Sequence, residues 1–248
     1  MNSPVVGTTT KTERAGIADR TAFWAAILTT TLAAGSFGVA VTTPPRTGPF
    51  AAPGSAFTYP YTTAAQFVPR DFLWMYPSLL MMFAFLLLAA SLQLRGVGDR
   101  KVFGTVGFSL AVSSFTIIAI DYFIQLRTVQ PALRQGEFDG LAILSQYNPH
   151  GVFIALEELG FLLMGLSFAF LATTLGSSRL ERITRRIFSI SSALIVAAFV
   201  GMSFYFGWSL EYRFEVAAIF LGWVTLMITG TLLAFAFRHS ARASGSAQ

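Results

Sequence analysis

The chain has 248 residues, of which 54% are hydrophobic and only 12% charged, with no cysteine and a formal net charge of +5. Soluble domains carry about 25% charged residues, so this deficit points to a protein that crosses a membrane several times. The lack of cysteine excludes disulfides, thiol catalysis and cysteine-ligated metals, and the basic excess is a matter of loop charge and topology rather than of nucleic-acid binding.

Residues 1–20 are polar and mixed in charge, as expected of a cytoplasmic tail. The apolar stretch 21–41 is long enough to cross the roughly 30 Å of hydrocarbon that about 20 helical residues span. Its end, "SFGVAV" (36–41), offers small residues of the kind that signal-peptide cleavage uses. The leader is long, however, and the apolar run exceeds a signal core, so the reading is a retained span. Residues 42–71 form a loop rich in Pro, Gly and aromatics, expected either as a lid over the outer mouth or as a segment lying at the headgroups. Further spans are expected at 72–94, 102–125, 151–175, 187–208 and 214–237, with a second cytoplasmic tail at 238–248. The connection 126–147 contains "GEFDGLAILSQY", which suits a short interfacial helix. "SRLE" (178–181) reads as a capping box opening the fifth span.

With both termini inside, the inside segments hold 12 of the 17 Lys and Arg. The outside segments hold five: Arg46, Arg70, Arg127, Arg134 and Arg213. This asymmetry orients the protein with its termini in the cytoplasm. The expected fold is all-α, a polytopic integral membrane six-helix bundle spanning residues 21–237, in a prokaryotic plasma membrane. Acids are biased the other way: only Glu13, Asp19, Asp99 and Glu181 fall inside.

Chemistry concentrates in "NPHGVFIALEELG" (148–160). Asn148 suits an N-cap and Pro149 the first helical position, so the fourth helix should start there, with His150 in its first turn. Glu157 and Glu158 follow about two turns later. Glu158 shares a stripe with Gly151, Ala155, Leu162, Gly165 and Ala169, and small residues let membrane helices approach closely. Glu158 is therefore expected to face the bundle, with Glu157 rotated from it by about 100°. "AIDYFIQL" places Asp121 near the outer end of the third helix, beside Tyr122 and one turn before Gln125, at the depth of the two glutamates. Glu211, Arg213 and Glu215 read as a charge network at the outer mouth, where acids suit a helix start. Carboxylates inside a bilayer are costly, and functional by default. They must be protonated, paired or hydrated.

No cofactor is expected. A retinal Schiff base needs a lysine in a span, and Lys11 and Lys101 lie outside the spans; His150 and His239 sit on opposite sides and do not make a haem or zinc site, although a carboxylate–His150 site stays open. Three readings remain for Asp121, Glu157 and Glu158, with Tyr122, Gln125 and His150 as auxiliaries. In the first, they form an outward-facing pocket for a cation, a proton or an amphipathic small molecule. In the second, they are the acid and base of an intramembrane enzyme acting on a lipid or isoprenoid. In the third, they pack helices in a structural or accessory subunit. The partners expected are the lipid bilayer and that ligand, not nucleic acid.

The stretch "IDYFIQL…GLAILSQYNPHGVFIALEELGFL" (120–162) resembles bacterial six-span membrane proteins grouped as domains of unknown function. The resemblance implies the same topology: a first span, a long outside loop, hairpins with short loops and a last span. It implies no reaction and no site residue.

Overall fold

The computed structural model describes residues 7–51, 54 and 58–245, with side chains over the part of that set between 19 and 239. The side chains of Lys11, Glu13, Arg14 and Arg242, which enter the charge asymmetry, lie outside the described residues. In chain order the helices are α1 (Gly7–Ala40), α2 (Met75–Gln93), α3 (Arg100–Ile124), α4 (Gln130–Gln135), α5 (Leu141–Leu144), α6 (Val152–Ala172), α7 (Arg179–Phe206) and α8 (Arg213–Gly245), and the described residues contain no strand. Six of these helices are long and apolar enough to cross a membrane. The protein is an all-α, multi-pass membrane protein.

The six long helices close a ring. α1 packs on α2, α2 on α3, α3 on α6, α6 on α7, α7 on α8 and α8 back on α1, while α6 also meets α8 across the middle. Small residues set the close approaches. α1 buries Ala22, Ala25, Ala26, Thr29, Ala33 and Ser36 on one face. Where it meets α8, a Cβ on Gly230 would lie 3.0 Å from the Ala26 carbonyl oxygen. Absent side-chain bulk is what lets these backbones come together. The centre is filled by aromatics: Phe85 of α2 meets Phe168 of α6, and Phe168 stacks on Phe188 of α7 at 5.0 Å. The outward faces carry Leu80, Phe83, Ile190, Leu194, Phe204 and Phe235, exposed and apolar, as a lipid-facing surface requires.

The two ends of the bundle differ. At one end, Ser178 and Glu181 form the expected capping box of α7. Arg95 ties three helices there, donating to Asp19 at 2.6 Å and to Glu181 at 3.4 Å while lying over the Phe237 ring. The opposite end, here the loop end, carries the long connections 41–74 and 125–151. The chain between α7 and α8 turns tightly at Gly207, whose φ of 51° and ψ of −122° suit only glycine.

Two boundaries differ from the sequence reading. The third long helix does not end at 125. It passes through a π turn (Gln125–Val129) and continues as α4 to Gln135, where Gly136 stops it with φ 75°. Pro131 lies in the first turn of α4, directly after the π turn. The fourth span starts at Val152, with Gly151 rather than Asn148 in the N-cap position. Asn148 is spent on the preceding turn: its Oδ1 accepts from the His150 N–H at 3.0 Å and its amide donates to the Ala142 carbonyl at 3.0 Å.

Candidate functional site

α3, α6 and α8 converge at the loop-end half of the bundle, and each brings a carboxyl to the interface. Asp121 of α3 is 1% exposed and Glu157 of α6 is 0% exposed, while Glu215 of α8 is 7% exposed. Tyr122 donates from its hydroxyl to Glu157 Oε1 at 2.5 Å. Its ring is held by Trp74 at 5.2 Å and Phe153 at 6.2 Å. Asp121 and Glu215 both neighbour Glu157, and the Glu157 and Glu215 carboxyls lie within hydrogen-bonding reach of each other. Glu157 Oε2, Glu215 Oε2 and Asp121 Oδ2 meet no N–H or O–H donor among the described residues. Among the described residues no basic side chain pairs with any of the three; the ion pairs are Arg46–Asp71, Arg95–Asp19, Arg95–Glu181 and Arg213–Glu211. Ionised carboxylates act only as acceptors, so a hydrogen bond between Glu157 and Glu215 requires a proton held between them.

The expectation that Glu158 rather than Glu157 faces the bundle is reversed. Glu157 is completely buried, Glu158 half-buried, and Ala155 of the small-residue stripe is exposed. The large residues decide the facing. Phe153, Glu157, Phe161, Met164 and Phe168 all turn inward, because only that face fills the aromatic centre of the ring. Glycine still matters on the flanks: Gly160 abuts Ile118 of α3 and Gly165 abuts Ile195 of α7.

Glu215 also departs from its expected place. Arg213 pairs with Glu211 at 3.6 Å and donates to the Ser209 carbonyl, so the mouth network is those two residues alone. Glu215 turns inward instead, on a stripe with Ala218, Gly222 and Leu226 that is buried against the bundle. That run of inward positions at helical spacing was the signal available for it. Gln125 is buried in the π turn, where its amide donates to the Leu144 carbonyl at 2.6 Å and its oxygen accepts from the Gln146 N–H at 3.2 Å. It anchors the loop. His150 is exposed in the turn before α6 and does not line the cavity described next.

Beside the carboxyl cluster lies a cavity of about 440 Å³ between α1, α8 and the loop-end connections. Its walls are chiefly aromatic and aliphatic: Phe37 and Ala40 from α1, Trp74 before α2, Phe153 from α6, and Val216, Ile219, Phe220 and Trp223 from α8. Asp121, Glu157 and Glu158 do not line it; Glu215 does. The acids and the open space are therefore neighbours rather than one acidic pocket, joined through Glu215.

The remaining wall is a polar strap that the sequence did not disclose. The connection after α1 brings Arg46 onto Asp71 in a two-pronged ion pair, and the guanidinium lies over the Phe67 ring. Both side chains are almost fully buried, 9% and 2% exposed. Tyr147 donates its hydroxyl to Asp71 at 3.1 Å, and Thr47 Oγ1 lies 2.8 Å from the Tyr147 carbonyl oxygen. Tyr212 donates to the Gln146 carbonyl at 3.1 Å. Burial pushes the Tyr147 phenol well above its ordinary range, and the adjacent Asp71 adds to this; burial pushes the Tyr212 phenol up likewise. Residues 43–47, Phe50 and Asp71 of this connection thus form part of the cavity wall. Comparison with protein-family models, with curated proteins and with solved structures gives no match for this chain. Among the described residues no three His, Cys, Asp or Glu side chains are grouped to hold a metal ion.

Proposed function

We propose that the protein is a plasma-membrane binding or transport protein of a prokaryote that takes an amphipathic small molecule into the loop-end cavity from outside the cell. The observation that carries this reading is the position of Glu215, which lines an aromatic cavity and contacts a buried carboxyl cluster. The volume falls in the range of about 300–1,000 Å³ usual for small-molecule sites, which combine apolar walls with a few placed polar groups. The excess of Lys and Arg in the segments at the opposite end supports an outward-facing loop end, with both termini in the cytoplasm. On this reading the resemblance to bacterial six-span proteins extends to topology and membrane.

The test is native mass spectrometry of gently solubilised protein, wild type beside Glu215→Gln and Asp121→Asn. A small molecule retained by the wild type and lost from Glu215→Gln supports the reading. Wild type that carries no adduct from membranes or from added amphiphiles, with variants that only melt earlier, replaces it with a structural role for the acids.

A further inference from the structure

Resting on that reading, we infer that the ligand is an organic cation, a hydrophobic ammonium compound, whose charged group sits against Glu215 and whose binding expels the proton shared by Glu215 and Glu157.

Three observations converge on this class. The first is the wall. Trp223 lies 6.5 Å from Phe37 and 6.2 Å from Trp74, and Phe37 lies 6.1 Å from Phe220, so four packed rings make one continuous aromatic wall of the cavity. Aromatic walls with a carboxyl among them are how proteins hold alkylammonium groups, since a ring face attracts a cation and does not require it to carry N–H groups. The second is the charge balance. Among the described residues the one base lining the cavity, Arg46, is already neutralised by Asp71. An added anion would meet no unpaired positive group there, whereas an added cation meets Glu215. The third is the unmet bonding. No N–H or O–H donor among the described residues reaches Glu215 Oε2, although Glu215 lines the cavity.

The proton follows from the same geometry. Before the cation binds, one proton between Glu157 and Glu215 serves both carboxyls, whose Oε2 atoms meet no other donor among the described residues. A cation at Glu215 supplies the positive charge that this proton supplied, so the proton leaves to solvent through the cavity and the charge count of the site is conserved. The groups that bear on Glu215 set this exchange. α6 brings Glu157 and Glu158, and α3 brings Asp121 and Tyr122. Tyr212 precedes Glu215 on its own segment, and the neutral Arg46–Asp71 pair faces the same cavity. α1 carries no titratable residue between Thr21 and Ala40, and α7 brings only the exposed Tyr205 to this end. Of the groups named, only Arg46 is basic and it is paired with Asp71, so none of them is a free base that would hold an anion.

The experiment is calorimetric titration of the purified full-length protein in nanodiscs with benzyltrimethylammonium, repeated with its neutral isostere neopentylbenzene and with phenylacetate. Each is run between pH 5 and 8 in buffers of different ionisation enthalpy. The cation is expected to bind with release of one proton, its Kd weakening about tenfold for each pH unit lowered while the site holds that proton. Glu215→Gln is expected to abolish binding of the cation. Glu157→Gln, which keeps Glu215 and the cavity, is expected to bind it with the pH dependence lost, and this variant carries the test if Glu215→Gln does not fold. Equal binding of the cation and the neutral isostere, without proton release, overturns the inference and leaves the amphipathic-ligand reading standing. No binding of any of the three overturns both.

Discussion

The Tyr122 hydroxyl and Glu157 Oε1 meet at 2.5 Å across the interface of α3 and α6, with both residues completely buried. Together with the Ser114 hydroxyl, which donates to the Gly160 carbonyl at 2.7 Å, this bond ties the two helices across a mainly apolar contact. Tyr122→Phe removes the donor and keeps the ring between Trp74 and Phe153, so no cavity forms. Leaving a buried acceptor unmet costs about 1–3 kcal/mol. The expected result is a lower unfolding midpoint for Tyr122→Phe in detergent. Glu157→Gln costs less, because the amide still accepts from Tyr122 and can donate to Glu215. Equal stability of Tyr122→Phe and wild type would show that the bond contributes nothing.

Arg46 and Asp71 make the second prediction. Breaking a buried ion pair on one side strands the other charge, at a cost of about 3–5 kcal/mol. Arg46→Met is expected to destabilise on that scale, more than the loss of any exposed arginine such as Arg179. Replacing both partners, Arg46→Met with Asp71→Leu, is expected to recover most of the loss, because the buried charge is then gone. Chemical denaturation of the three variants decides it; a double variant no better than Arg46→Met would mean that the pair holds the strap by more than its charges.

The spans were legible because a run of about 20 apolar residues has few alternatives. The common depth of Asp121 and the glutamate pair was legible too, since it follows from helix rise alone. What stayed hidden depends on faces and on long-range contacts. The small-residue stripe through Glu158 competes with the bulky stripe through Glu157, and only the volume of the closed ring settles which turns inward. "SLEYRFEV" offers Arg213 two acids at equal spacing, and nothing local says that Glu211 takes the pairing while Glu215 turns into the bundle. Arg46 and Asp71 are 25 residues apart in a segment without periodicity, so no pattern announces them.

Alkaline pH should loosen the strap. Burial raises the phenols of Tyr147 and Tyr212 above their ordinary values in the folded protein. The neutral phenol is therefore favoured by folding, and the unfolded chain ionises first. This contribution is complete below about pH 10, the unperturbed tyrosine value, and is lost as pH rises from there towards the folded values. Each phenol is expected to add a fall of about 1.4 kcal/mol per pH unit above that point. Tyr147→Phe lowers stability at neutral pH by removing a donor to Asp71, and it flattens the alkaline fall by one phenol's share. Unfolding followed between pH 7 and 12 checks both; an unchanged alkaline slope in Tyr147→Phe would contradict the burial of that hydroxyl.

Glycine substitutions should rank by what a new methyl group meets. At Gly107 of α3 a Cβ would lie 2.9 Å from the Leu171 backbone nitrogen of α6, and backbone cannot yield. Gly107→Ala must push α3 from α6, an overpacking cost of about 1–3 kcal/mol. At Gly160 the nearest atoms are Cδ1 and Cγ1 of the Ile118 side chain, at 2.5 and 2.6 Å, so relief needs a side-chain shift and no backbone shift, and Gly160→Ala is expected to cost less than Gly107→Ala. At Gly35 of α1 nothing lies within 4 Å, and Gly35→Ala is expected to leave stability unchanged or raised. Because Gly107 and Gly160 both sit on the α3–α6 contact, the two also differ in reach. Separating the helices at Gly107 acts on the interface that carries the Tyr122–Glu157 bond, whereas a rotamer change of Ile118 leaves that bond in place. Thermal melts of the three variants, combined with Tyr122→Phe in each background, measure this. The cost of Tyr122→Phe should shrink beside Gly107→Ala and persist beside Gly35→Ala, since mutations that share a contact couple and distant ones add.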